Sequence, residues 1–235
     1  MSSALSQPSS RPGPDVPAAV LWDMDGTLVD TEPYWIECEF ELAAAHGGTW
    51  SLEHAHTLVG NDLLTSARYL RRHAGIDLPP AQIVELMLDG VIDRIRRRVP
   101  WRPGARQLLA DLRALDIPCA LVTMSYRRLA ACVIDALPAG SFSAFVPGDD
   151  VTYGKPHPEP YLTAAARLGV DPAHCLAIED SLTGLTSAVA AGVPALGVPN
   201  VVPLEASPGR HIVDTLAGLT PDDLARFVVT LRAAG

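Results

Sequence analysis

Two aspartates, Asp23 and Asp25, stand one residue apart in the stretch AVLWDMDGTLVDTEP. The apolar run from Ala19 to Trp22 leads straight into them. A strand buried on both faces therefore ends by setting two carboxylates side by side. Three other apolar runs end on residues of the same chemical interest: Thr123 after IPCALV, Lys155 in the loop GKPHPEP that follows FSAFVP, and the pair Glu179 and Asp180 at the end of CLAIED. Carboxylates gathered this closely cannot all stay ionised without a cation between them. A hard divalent ion with oxygen ligands, Mg²⁺, suits such a set. A calcium loop beginning at Asp23 does not, because Leu28 stands where its turn glycine is needed and Tyr34 where its bidentate glutamate is needed. A metal alone leaves Lys155 and the Thr123 hydroxyl unexplained. Both bind anions, and backbone N–H groups just after a strand add further donors. Mg²⁺, a lysine and such donors together suit a phosphoryl group. One carboxylate can then attack phosphorus, and the other can give and take the proton.

These residues can meet only if the elements that carry them converge. Apolar runs at 18–22, 117–123, 142–147, 175–179 and 193–198 read as strands. Segments 103–115, 126–137, 158–168 and 181–191 carry apolar residues at helical spacing. Strands alternating with helices predict an α/β fold: a doubly wound, Rossmann-like parallel sheet covered on both faces. In such sheets ligands bind at the carboxyl ends of the strands, where Asp23, Asp25, Thr123, Lys155, Glu179 and Asp180 all fall. Residues 31–99 break the alternation. They offer helical patterns at 32–46, 61–74 and 80–98 and no strand, so an inserted helical cap domain is predicted there. The core domain would comprise residues 18–30 and 100–235. Residues 1–17, rich in Ser and Pro, read as a disordered tail.

The motifs DMDGTLVD, LVTMS, GKPHPEP and IEDSLTG resemble, in order and spacing, the four motifs of the haloacid dehalogenase-like (HAD) superfamily. The resemblance runs over roughly residues 18–217. The helical insertion is similar to the cap of the subgroup that contains beta-phosphoglucomutase and many sugar-phosphate phosphatases. It implies that Asp23 is the nucleophile. Asp25 would be the general acid/base and lend its backbone carbonyl to Mg²⁺. Thr123 and Lys155, helped by the Met124 N–H, would hold the phosphoryl oxygens. Asp180 would bind Mg²⁺, and Glu179 would be a further ligand or an acceptor behind the ligands. Gly26 would let the chain turn, braced by Thr27.

Asp25 separates the reactions within the superfamily. Its dehalogenases lack this second aspartate, since a halide leaves without a proton. The cap separates phosphatase from mutase. Beta-phosphoglucomutase has an arginine shortly after a glycine matching Gly60, where this chain reads GNDLL, and a histidine where this chain has Trp35. The expected activity is hydrolysis of a small phosphate monoester, a sugar or polyol phosphate, through an aspartyl-phosphate. A mutase of the beta-phosphoglucomutase type and a non-catalytic phospholigand-binding protein are the alternatives. Glu32, Trp35, Asn61 and Arg68 are candidate lid contacts to the leaving group.

Bulk properties restrict the partners. The formal net charge of −9 over 235 residues argues against nucleic acid, which calls for a positive surface. No apolar run reaches the roughly 18 residues of a membrane span. Cys38, Cys119, Cys132 and Cys175 form no CxxC pair and read as reduced thiols, so a cytoplasmic location is expected. The expected partner is a small phosphorylated metabolite, bound by a monomer or homodimer. The histidines and the basic run RIRRR at 94–98 read as solvated or structural.

Overall fold

The computed structural model describes residues 16–58 and 61–233. Nearly all of the predicted tail, and Gly60, lie outside the described residues. A six-stranded, all-parallel sheet forms the centre, in the order β3-β2-β1-β4-β5-β6. Its strands are β1 (Ala19–Trp22), β2 (Cys119–Val122), β3 (Ala144–Val146), β4 (Cys175–Glu179), β5 (Ala195–Gly197) and β6 (Arg210–Ile212). The five strands read from the sequence are all present. The sixth is a half-buried edge strand of sequence RHI, too short and polar to show as an apolar run.

Successive side chains on a strand point to opposite faces, and the strands fill two separate cores accordingly. Val20, Trp22, Leu121, Leu176 and Ile178 pack on one face. There they meet Leu108 and Leu112 of α5 (Ala105–Ala114), Leu129 and Val133 of α6 (Arg127–Asp135), and Leu224 and Val228 of α9 (Pro221–Ala233). Ala19, Leu21, Ala120, Val122 and Ala177 pack on the other face. They meet Tyr161 and Ala164 of α7 (Glu159–Leu168) and Leu185 and Ala188 of α8 (Leu182–Ala190). Burial on both faces explains why β1, β2 and β4 read as unbroken apolar runs.

The chain runs outward from β1 to β2 and β3, then returns to place β4 on the other side of β1. The crevice between β1 and β4 is thus the topological switch point, where doubly wound folds bind ligands. Asp23 follows the end of β1, and Glu179 closes β4.

Between β1 and β2 lie α1 (Glu32–Ala45), α2 (Leu52–Leu58), α3 (Leu63–His73) and α4 (Pro80–Arg97), ahead of α5. Helix α2, sequence LEHAHTL, was not legible because only seven residues carry its pattern and three of them are acidic or histidine. Helix α3 begins later than its periodicity suggests, since Asp62 caps it by accepting the Thr65 N–H at 2.9 Å. The outgoing and returning chains run side by side. Asp30 N–H donates to Pro100 O at 2.8 Å, and Arg102 N–H donates to Leu28 O at 3.0 Å.

Candidate active site

The turn after β1 sets the geometry. The N–H groups of Thr27, Leu28 and Val29 all donate to Met24 O, and Gly26 N–H donates to Val29 O at 2.7 Å. Gly26 adopts φ +88°, the left-handed region where glycine is favoured. It is needed for a second reason: a Cβ there would sit 1.9 Å from Asp180 Oδ2. Thr27, expected to brace this turn, is buried in it with its N–H on Met24 O, and its hydroxyl has no hydrogen-bond partner among the described residues.

Lys155 stands at the centre of the crevice. Its Nζ donates to Asp23 Oδ1 at 2.6 Å, to Glu179 Oε1 at 2.6 Å and to Val122 O at 2.9 Å. The side chain is only 4% exposed. Burial opposes its charge, but the carboxylates of Asp23 and Glu179 outweigh that and hold its pKa above the ordinary lysine value. Glu179 is fully committed. Oε1 also accepts from the buried Tyr161 hydroxyl at 2.7 Å, and Oε2 accepts from Ser181 Oγ at 3.1 Å. Ser181 in turn caps α8 by accepting the Gly184 N–H. A Cβ on Gly184 would reach within 1.9 Å of the Glu179 carboxyl, so the helix docks directly onto it.

Asp23 has one engaged oxygen and one orphan. Oδ2 is buried and has no hydrogen-bond partner among the described residues. Burial, then the negative charge of Glu179, pushes the Asp23 pKa up to about 7 against the pull of Lys155. Asp180 carries no side-chain hydrogen bond among the described residues, and burial with the charges of Asp23 and Glu179 pushes it up to about 9. Carboxylate oxygens of Asp23, Glu179 and Asp180 lie within 4.8 Å of one another. An orphan buried carboxylate oxygen beside a second unbonded carboxylate fits a divalent cation with oxygen ligands.

Asp25 is held differently. Oδ1 accepts from Thr31 Oγ1 at 2.6 Å, and Oδ2 accepts from Ser125 Oγ at 2.8 Å and Thr123 Oγ1 at 3.2 Å. Burial raises its pKa, and these three hydroxyls oppose the rise. Thr123 is buried, and its Oγ1 also accepts the Ser125 N–H at 3.0 Å. The neighbouring Met124 N–H has no partner among the described residues, and its residue lines the cavity.

The six residues singled out at the strand ends, with Met124 beside Thr123, therefore meet in one place. Thr31, Ser125 and Tyr161, which hold them, were missed. A hydroxyl gives no pattern in sequence, and nothing in the chain marks Thr31 and Ser125 as partners of Asp25 or Tyr161 as the partner of Glu179. Above the carboxylates lies a cavity of ≈ 220 Å³ that reaches up between α1, α3 and α4. Glu32, Trp35 and Asn61 line it as expected, whereas Arg68 is exposed and is not among its lining residues.

A buried lysine thus bridges carboxylates at the switch point, with a second aspartate two residues from the first. The family of haloacid dehalogenase-like hydrolases matches residues 17–192, and the chain belongs to it. Hexitol phosphatase B of Escherichia coli K12 is 32% identical over 186 residues, covering 77% of this chain and 83% of its own. Phosphoglycolate phosphatase of the same organism is 30% identical over 201 residues, covering 76% and 80%. Among solved structures, CbbY from Rhodobacter sphaeroides in complex with phosphate superposes with a TM-score of 0.79 at 28% identity, covering 88% of this chain and 99% of its own.

Proposed function

We propose that the protein is a Mg²⁺-dependent phosphatase. It hydrolyses a small phosphate monoester, a sugar or polyol phosphate, through an aspartyl-phosphate. The observation that carries this reading is Asp23: one oxygen fixed by Lys155, the other free, with Asp25 two residues on. The names of the curated relatives, a hexitol phosphatase and a phosphoglycolate phosphatase, support phosphate monoesters as substrates.

In this reading a carboxylate oxygen of Asp23 attacks phosphorus, and the bond from phosphorus to the ester oxygen breaks. Asp25 gives that oxygen its proton. Asp25 then takes a proton from a water that attacks the phosphorus of the aspartyl-phosphate, which returns Asp23 and frees phosphate. Lys155, the Thr123 hydroxyl and the Met124 N–H receive the phosphoryl oxygens. Asp23, Asp180 and the Asp25 backbone carbonyl would hold Mg²⁺. Glu179 acts behind them, because its oxygens already serve Lys155, Tyr161 and Ser181. Bound Mg²⁺ supplies positive charge against the carboxylates and the phosphoryl oxygens.

Residues 31–99 are proposed as the cap over a core of 18–30 and 100–235. The paired chains at Asp30 and Pro100 support this division. A lid of this kind excludes bulk water and selects the leaving group. The thiols of Cys38, Cys119, Cys132 and Cys175 are all unpaired, which supports a reducing, cytoplasmic setting.

A phosphate-release screen over sugar, polyol and nucleotide monophosphates tests the proposal. Turnover that needs Mg²⁺ and is lost on chelation supports it. No release from any phosphate monoester, a generic aryl phosphate included, contradicts it.

A further inference from the structure

The wall of the cavity has a one-sided charge. Among its described lining residues Lys155 is the sole cation, and it lies at the floor, bonded to Asp23 and Glu179. Away from the floor the charged lining residues are Glu32, Glu39 and Asp62. Asp62 is occupied in capping α3. The other two stand on α1 with Trp35 between them, at spacings of three and four residues that share one helix face. Seven residues of helix separate their backbones by roughly 10 Å along the axis.

Both carboxyls have capacity to spare. Glu32 makes no side-chain hydrogen bond or ion pair among the described residues. Glu39, only 5% exposed, accepts from Trp50 Nε1 at 3.0 Å through Oε2, and its Oε1 has no partner among the described residues. Around them the wall is apolar: Leu58, Leu63, Leu70, Val84 and Met87. A buried carboxyl left in such a wall costs free energy unless something bonds to it. Glu32 follows Thr31, which donates to Asp25, and both Glu32 and Asp25 line the same cavity.

We propose that Glu32 and Glu39 form the leaving-group subsite, accepting hydrogen bonds from the hydroxyls of a neutral polyol or sugar and rejecting leaving groups that carry a second anionic group. This rests on the phosphatase reading above and adds to it which substrates are excluded. A second phosphate or a carboxylate placed there would lose its water and meet two acidic side chains with no cation to offset it. A polyol hydroxyl replaces the lost water with a bond to the carboxyl.

The test compares kcat/KM of the full-length protein, with Mg²⁺, on three six-carbon substrates: a hexitol 6-phosphate, the hexonate 6-phosphate that bears a terminal carboxylate, and the hexitol 1,6-bisphosphate. 2-Aminoethyl phosphate is the cationic comparison. The parent protein should favour the hexitol phosphate over both anionic substrates by on the order of 100-fold. Glu39→Gln keeps an acceptor for Trp50, and Glu32→Gln stands on the less buried turn. Each should raise KM for the hexitol phosphate about tenfold and narrow the neutral-to-anionic ratio. Equal kcat/KM on neutral and anionic substrates by the parent would overturn the proposal, whatever the variants do. So would a ratio unmoved in both glutamine variants, or a preference for the aminoethyl ester. If p-nitrophenyl phosphate and every other monoester go unhydrolysed, the phosphatase reading itself has failed. If Asp23→Asn abolishes a turnover that shows no charge preference, only the subsite has failed.

Discussion

Lys155 and Glu179 form a buried ion pair of 2.6 Å, with side chains 4% and 1% exposed, at the junction of two strand ends. The pair orients the ammonium toward Asp23, and Tyr161 and Ser181 hold the carboxylate in turn. Removing one member of such a pair leaves the other as an uncompensated buried charge. Glu179→Ala should therefore destabilise the fold by about 3–5 kcal/mol and lower turnover. Thermal unfolding and phosphate release measured on the same preparation check this. A variant as stable as the parent would mean that Glu179 does not hold the lysine.

Gly26→Ala probes the approach of Asp180. The added methyl would meet Asp180 Oδ2 at 1.9 Å, and φ +88° adds backbone strain. Displacing this carboxylate should weaken Mg²⁺ activation by about 10- to 100-fold. The measurement is activity against Mg²⁺ concentration, and an unchanged half-activating concentration would remove Asp180 from the metal site.

The raised carboxylates make the stability of the metal-free protein depend on pH. Asp23 moves from 3.8 up to about 7 and Asp180 from 3.8 up to about 9. Between those values the folded state binds protons that the unfolded state has released. Stability is thus greatest at low pH for these two groups and falls as pH rises through about 7 and then about 9. Mg²⁺ should restore more of the melting temperature at pH 8 than at pH 5. An equal effect at both would contradict the shared site.

Thr31 donates to Asp25 at 2.6 Å and opposes the rise in its pKa. Thr31→Val removes that hydrogen bond while keeping the shape. The descending limb of the kcat/KM–pH profile, where Asp25 loses the proton it must give to the ester oxygen, should then move to higher pH. A limb that stays in place would separate Asp25 from the titration that limits turnover.

The core was legible because β1, β2 and β4 are buried on both faces and announce themselves as apolar runs ending in chemistry. The insertion after β1 and the C-terminal elements were less legible. Helix α2 is short and polar, and β6 and α9 lie after the last motif, where RHI and the moderately apolar PDDLARFVVTLRA show no strong pattern. Within the site the acids and the lysine stood out by position. The groups that hold them did not, since Tyr161 looks like one more apolar residue of α7 until its hydroxyl is seen on Glu179. Glu39 likewise reads as a solvated helix position, and only the packing of α1 buries it in the cavity wall.

Phosphate release by Asp23→Asn tests the central claim most directly. The substitution keeps the shape and an acceptor for Lys155 but removes the attacking carboxylate. The account predicts a loss of at least ~10³-fold in turnover, with Mg²⁺ present and the protein still folded. Activity within about tenfold of the parent would show that Asp23 is not the nucleophile.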